Sequence, residues 1–365
     1  MLTDNKAPEK IETAEEKKRR GYTLIILALA ALLIAGILVS FALGRYSISP
    51  RELLLALRDK ASELLSALTR GLINPVRSGE VTDQMRALLF NVRLPRILLS
   101  CLVGCCLSAA GASYQGVFRN PMASPDILGA SSGAATGAAI AILLQMPSKS
   151  VVLFAFCGSI AAIAAVMLIS RTASGNKLLG IILAGIMISS LCNAATSFVK
   201  LVADPQNILP EITYWLMGSL AKAKPDAVRF AVIPMAAGII PLLLLRWRIN
   251  LLTLSDAEAR TMGVNAGHVR LIVIICATLI TAASVSVSGL ISWVGLVVPH
   301  LTRRLVGNNY RHLLPASMLC GAIFMLLVDN VSRNLLLTEI PVGILTAVIG
   351  APFFIWLISR KRSAT

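Results

Sequence analysis

LIVIICATLITAASVSVSGLISWVGLVVP, residues 271–299, runs for 29 residues without a charged side chain or a histidine. A spanning helix needs about 20 apolar residues, so this run is too apolar for water and too long for one comfortable crossing. At its middle stands Ser286-Val287-Ser288-Gly289, where a turn separates two helices. Working outward, the same search returns further uncharged runs at 21–44, 97–118, 127–148, 150–170, 178–199, 230–245, 313–328 and 340–359. These runs are continuously apolar. Barrel strands alternate apolar with polar residues, and lipid admits only helices and closed barrels. The expected fold is therefore all-α, a polytopic membrane protein with about ten transmembrane helices.

Composition agrees with that reading. Only 14% of the 365 residues are charged and the mean hydropathy is +0.78, against about 25% charged in an ordinary soluble domain, which excludes a soluble globular protein. An even number of spans puts both termini on one side. Lys17, Lys18, Arg19 and Arg20 precede the first span and Arg360, Lys361 and Arg362 follow the last, so the positive-inside rule makes both termini cytoplasmic. With that topology the cytoplasmic side holds 19 Lys and Arg and the outer side 15, nine of them in one long outer segment between Arg45 and Arg96. The chain divides into a cytoplasmic tail at 1–20, a transmembrane domain at 21–360 and a short cytoplasmic tail at 361–365. The run at 21–44 exceeds the about 7–15 apolar residues of a cleavable signal and is read as a retained span.

The net charge of +16 sits at span ends, without an aromatic-interleaved basic stripe. Its partners are lipid headgroups, and no nucleic acid is expected. The seven cysteines all fall inside spans with no C-x-x-C pair. They read as small apolar residues, so no metal and no cofactor is expected. No phosphate loop, H-E-x-x-H or nucleophile elbow occurs. The chain is expected to be no enzyme. Asp329 is the one clear acidic residue in a span, which leaves an ion-coupled secondary transporter without its buried carboxylates.

The spans contain small residues at helical spacing. Ser100, Gly104, Ser108, Ala112 and Gly116 form one row, and Gly129, Gly133 and Gly137 another. Such rows allow close helix packing, or present a smooth wall to a bulky solute, and both readings stand. Between them, Pro121 and Pro125 stop one helix and Ser124 or Asp126 can cap the next. Segment 249–269 joins two spans. There Ser255-Asp256-Ala257-Glu258 has the form of an S-x-x-E capping box and Gly263 can close a short helix. Arg93 and Arg96 lie three apart at the start of a span and share one helix face, where they oppose the helix dipole. Arg333 stands four after Asp329, so an internal ion pair or snorkelling is open to it.

RLPR at 93–96, NPMASPDILGASSGA at 120–134, WLMGSL at 215–220, GLVVPHLTRRLVG at 295–307 and EIPVGILTAVIGAPFFIWLI at 339–358 together resemble the FecCD family of ATP-binding-cassette importer permeases. That family includes cobalamin, ferric-siderophore and haem permeases. The resemblance implies a second permease subunit (a homodimer or a close paralogue), two cytoplasmic ATPase subunits that bind the ATP, and an extracytoplasmic solute-binding protein. It also implies a place in the cytoplasmic membrane of a bacterium or archaeon. Glu258-Ala259 followed by Gly263 resembles the EA-x-x-x-G coupling signature, which implies ATPase coupling through Leu254, Ser255, Asp256, Glu258, Ala259, Arg260, Met262 and Gly263. Arg93, Arg96 and Arg333 match the arginines that receive acidic residues of the binding protein. The implied function is inward transport by alternating access, of iron-siderophore complexes or else of cobalamin, haem or molybdate. The 171–177 loop resembles the family's cytoplasmic gate in position. Trp215 reads as an interfacial anchor, and Pro299-His300 as a helix end or an ATPase contact.

Overall fold

The computed structural model describes residues 7–44, 46, 48–68, 81–172, 177–254 and 256–362. Uncharged runs cannot leave backbone groups unpaired in lipid, so each becomes a helix. The described elements are α1 (Ala7–Ala42), α2 (Pro50–Leu68), α3 (Asp83–Ala87), α4 (Leu94–Val117), α5 (Ala130–Leu143), α6 (Ser148–Thr172), α7 (Lys177–Val202), α8 (Ile208–Leu216), α9 (Pro225–Leu252), α10 (Asp256–Thr261), α11 (Ala266–Ser288), α12 (Val294–Val306), α13 (Tyr310–Asn334) and α14 (Val342–Arg362). A π turn, Leu88–Arg93, makes α3 and α4 one helix, Asp83–Val117. Seven helices among the described residues are long and apolar enough to cross a membrane, and α5 and Val342–Leu357 are shorter apolar helices.

The π turn has a local cause. Pro95 lacks an N–H and its ring would strike the Asn91 carbonyl in a regular helix; the wider turn, with the Leu94 N–H donating to the Leu89 carbonyl, accommodates it. The long helix starts at Asp83, where the Thr82 hydroxyl accepts from the Met85 N–H. Helix α2 opens on a capping box. The Ser49 N–H donates 2.8 Å to Glu52, and the Glu52 N–H donates to the Ser49 hydroxyl. These bonds hold the Glu52 carboxyl below its usual pKa range.

Helices α4 and α11 form the centre. Their most apolar stretches are 78% and 72% buried, against 11% for α1 and 17% for α7, so α1 and α7 present most of their surface outward. Helix α4 packs on α9, α11, α12 and α13, and α5 on α6 and α7. The 271–299 run divides where the sequence expected. Helix α11 ends at Ser288, Gly289 takes φ +70, and α12 begins at Val294.

That turn is locked by a segment whose role the sequence left open. The Ser219 N–H donates 2.8 Å to the Ser288 carbonyl, and a Cβ on Gly289 would strike the Trp215 carbonyl. A Cβ on Gly343, at the start of α14, would strike the Met217 carbonyl. Trp215 is half-buried against the α5 cluster, so it is a packing residue of this knot. Pro299 does not end its helix; α12 continues through it to Val306, and the Gly295 carbonyl four residues before it, which a proline cannot serve, accepts from Gln115 Nε2 at 3.3 Å, while the His300 ring packs beside Phe353 and Phe354 of α14.

Candidate functional site

Three arginines converge at the end of the bundle that carries α2. Arg93, in the π turn, donates to the carbonyls of Phe41 and Tyr46. One turn on, Arg96 donates from Nε to Asp329 Oδ1 at 2.9 Å and from Nη1 to both carboxylate oxygens of Glu339 at 2.9 Å. Arg333 Nε lies 3.2 Å from Asp329 Oδ2, while its Nη2 donates to Ser40 Oγ at 2.9 Å and to Asn330 Oδ1. Asp329 is fully buried, and Arg93, Arg96 and Arg333 are 5%, 6% and 9% exposed. A charge taken out of water costs several kcal/mol unless it is paired and hydrogen-bonded, on the order of the energies for buried ion pairs. Asp329, shared between two guanidinium groups, supplies that pairing.

This geometry corrects one expectation and decides another. Arg93 and Arg96 do not stand at a helix start, because the helix begins at Asp83, so their charges are met by carbonyls and carboxylates rather than opposed by the dipole. Arg333 takes the internal ion pair with Asp329 instead of snorkelling. Glu339 escaped the sequence reading. Its signal was the charge balance: three buried cations need carboxylates, and Glu339 follows Asp329 by ten residues.

The small-residue rows face neighbouring helices of the same chain. A Cβ on Gly104 would strike the Gly321 carbonyl of α13, and Ser108 Oγ donates 2.8 Å to the Ser317 carbonyl one turn further on. Gly116 lies against Ile249 and Tyr310, Gly133 against Gly158 and Ala162, Gly137 against the Phe154 carbonyl, and Gly129 beside Ser189. All six positions are buried, so within one chain they pack and do not line an open path. Ser124 and Asp126 do not cap α5 through its backbone. Gly129 occupies that N-cap, and Asp126 accepts from the Ser131 hydroxyl.

At the opposite end, α10 stands between α9 and α11. Ser255 lies outside the described residues, so the capping box that pairs it with Glu258 is not described. The other end of α10 closes as a Schellman motif: the Gly263 N–H donates 2.9 Å to the Arg260 carbonyl and the Val264 N–H donates 3.0 Å to the Ala259 carbonyl. Gly263 takes φ +75. Ala259 is buried as the foot of the helix, whereas Leu254, Glu258, Arg260, Met262 and Gly263 are exposed, Met262 by 61%. Of Asp256 only the helical backbone is described. Leu254 and Met262 are thus large apolar side chains left exposed among charged residues.

Beneath α10 a polar network ties four helix ends together. The Tyr310 N–H donates 2.8 Å to Asn250 Oδ1, and Asn250 Nδ2 donates 3.0 Å to Asn309 Oδ1. Arg303 donates to Gln115 Oε1 and, at 3.3 Å, to the Tyr310 hydroxyl. Arg119, at φ +51, donates 2.8 Å from Nε to the Leu252 carbonyl, capping α9. Gln115 is the one amide inside the 97–118 run, a signal the sequence reading did not use. Residues 173–176 of the expected gate loop lie outside the described residues. Among the described residues no group of His, Cys, Asp and Glu could hold a metal ion.

Set beside known proteins, residues 32–360 match the FecCD transport family. The molybdate import system permease protein MolB of Haemophilus influenzae is 40% identical over 94% of this chain and 97% of its own. The Fe(3+) dicitrate transport system permease protein FecD of Escherichia coli is 40% identical over 75% of this chain and 86% of its own. A solved metal-chelate type ABC transporter in an inward-facing conformation is 36% identical, with a TM-score of 0.80 over 93% of this chain and 99% of that one.

Proposed function

The chain belongs to the FecCD transport family, and on that premise we propose that it carries ferric-chelate complexes inward as the permease half of an ATP-binding-cassette importer. It is a polytopic membrane protein and a transport permease, with ATP hydrolysis on a separate subunit. In this reading ten spans cross the cytoplasmic membrane of a bacterium or archaeon, α5, α12 and α14 adding to the seven longer helices, with both termini inside. A second permease subunit forms the other wall of the path. A loaded binding protein docks at the arginine end, and two ATPases act on the α10 end.

The observation that carries the coupling assignment is α10 itself, a short helix footed on Ala259 with Leu254, Glu258, Arg260 and Met262 outward. The network of Asn250, Tyr310, Arg303 and Gln115 joins the end of α9, from which the chain runs into α10, to α4, α12 and α13. A displacement of α10 thus has a bonded route into the helices that would open and close the path. No carboxylate relay is required. The ferric-chelate cargo draws on the ferric dicitrate relative and the metal-chelate type structure. Molybdate is the second reading, favoured by a relative of equal identity and greater coverage.

Cargo is tested by ATP-dependent uptake of ferric chelates, haem, cobalamin and molybdate into vesicles holding the chain with its ATPase and binding protein. Saturable uptake of a ferric chelate, and of no other cargo at comparable concentration, is the expected result. Saturable uptake of molybdate alone would transfer the assignment to the oxyanion.

A further inference from the structure

The arginine cluster is not fully hydrogen-bonded: Arg333 Nε and Asp329 Oδ2 meet as an ion pair at 3.2 Å without a hydrogen bond, and Arg96 has an open nitrogen with no charged partner on it. Arg96 is held at Nε by Asp329 and at Nη1 by Glu339, while Nη2 is buried without a hydrogen-bond partner. Both Glu339 oxygens crowd onto the single Nη1. A carboxylate bound fork to fork would use two guanidinium nitrogens, one oxygen each, in the stronger and more directional arrangement. Glu339 therefore occupies the arginine without making the best bond to it.

The two carboxylates on Arg96 differ in how they are anchored. Asp329 is fully buried in the body of α13 and also serves Arg333. Glu339 belongs to the non-helical segment 335–341, and its side chain is 32% exposed. The backbone beside it is pinned, with the Ile340 N–H donating 3.2 Å to the Ser332 carbonyl and Ser332 Oγ donating 2.6 Å to the Ile340 carbonyl. The side chain can swing into water while the segment stays in place. Leu335, Leu336 and Leu337 of the same segment are exposed by 61%, 57% and 94%, an apolar shoulder next to the charge.

We propose that Glu339 is a resident placeholder, a carboxylate of the chain itself that covers Arg96 until a carboxylate side chain on a docking protein displaces it and takes Nη1 and Nη2 together. The proposal rests on the docking reading above and adds the residue that regulates it. It accounts for a docking arginine being only 6% exposed in the isolated chain. The leucine shoulder favours a protein surface over a small free anion as the carrier of the incoming carboxylate.

The test is the Kd and association rate of the solute-binding protein for the assembled permease–ATPase complex in nanodiscs, with Glu339→Gln, Arg96→Lys and the double variant. Glu339→Gln keeps the shape and removes the competing charge, so binding is expected to tighten by roughly three- to tenfold at low salt, with the gain shrinking as salt rises. Arg96→Lys, which loses the fork but keeps the charge, is expected to weaken binding, and in its presence Glu339→Gln should have no effect. Thermal unfolding of each variant establishes that the complex is intact. Unchanged or weaker binding in Glu339→Gln, with Arg96→Lys weakened, overturns the placeholder and leaves docking standing. Binding indifferent to Arg96→Lys overturns docking itself and the placeholder with it.

Discussion

Asp329 is the residue on which the arginine cluster turns. From a fully buried position it accepts a hydrogen bond from Arg96 at 2.9 Å and forms an ion pair with Arg333 at 3.2 Å. Removing one partner of a buried pair leaves an uncompensated charge, at a cost of about 3–5 kcal/mol. Arg96→Ala is therefore expected to lower the thermal midpoint of the purified protein by several degrees, and Asp329→Asn, which takes the carboxylate from both Arg96 and Arg333, to lower it further. A midpoint unmoved by Arg96→Ala would show that the charge is met by water. The sequence disclosed the i, i+4 spacing of Asp329 and Arg333 but could not disclose Arg96 on Asp329, a contact across 233 positions. Pairing at that range is set by which helices adjoin, not by local spacing.

At the scale of elements, the helices were legible because an uncharged run in lipid has only one way to satisfy its backbone. The break at Gly289 was legible too, from length and a turn string. The π turn was not, since its cause is a proline acting on the turn before it and the register it selects depends on Arg93 finding carbonyls at the end of α1. The small-residue rows showed where helices approach closely without naming their neighbours. Gly104→Val pushes a side chain into the Gly321 carbonyl, and overpacking of this kind costs about 1–3 kcal/mol. A lower midpoint and reduced membrane yield are expected, and wild-type stability would refute the α4–α13 crossing. Gly263→Ala is a different probe. Nothing lies within 4 Å of the added Cβ, so its effect comes from φ +75 alone, about 1–2 kcal/mol. Overall stability should hold while ATP-driven transport falls, because the strain is confined to the end of α10. Transport equal to wild type would remove the Schellman closure from the coupling account.

For the molecule as a whole, the two candidate sites lie at opposite ends of α4, which enters the bundle beside Arg96 and leaves it beside Gln115 and Arg119. Among the described spans the helix containing α4 is the most buried, and on the proposed coupling it is the element common to both ends. The measurement that bears most directly on this arrangement is ATP-dependent uptake into proteoliposomes containing the chain, its ATPase and its binding protein, wild type against Leu254→Asp/Met262→Asp. The two side chains flank α10, Leu254 37% and Met262 61% exposed, and neither belongs to or packs against the apolar core, so folding should be unaffected. Uptake that requires ATP and falls at least about tenfold in the variant, equivalent to about 1.4 kcal/mol of coupling, is the predicted result. Uptake that persists without ATP, or that the variant leaves intact, would contradict it.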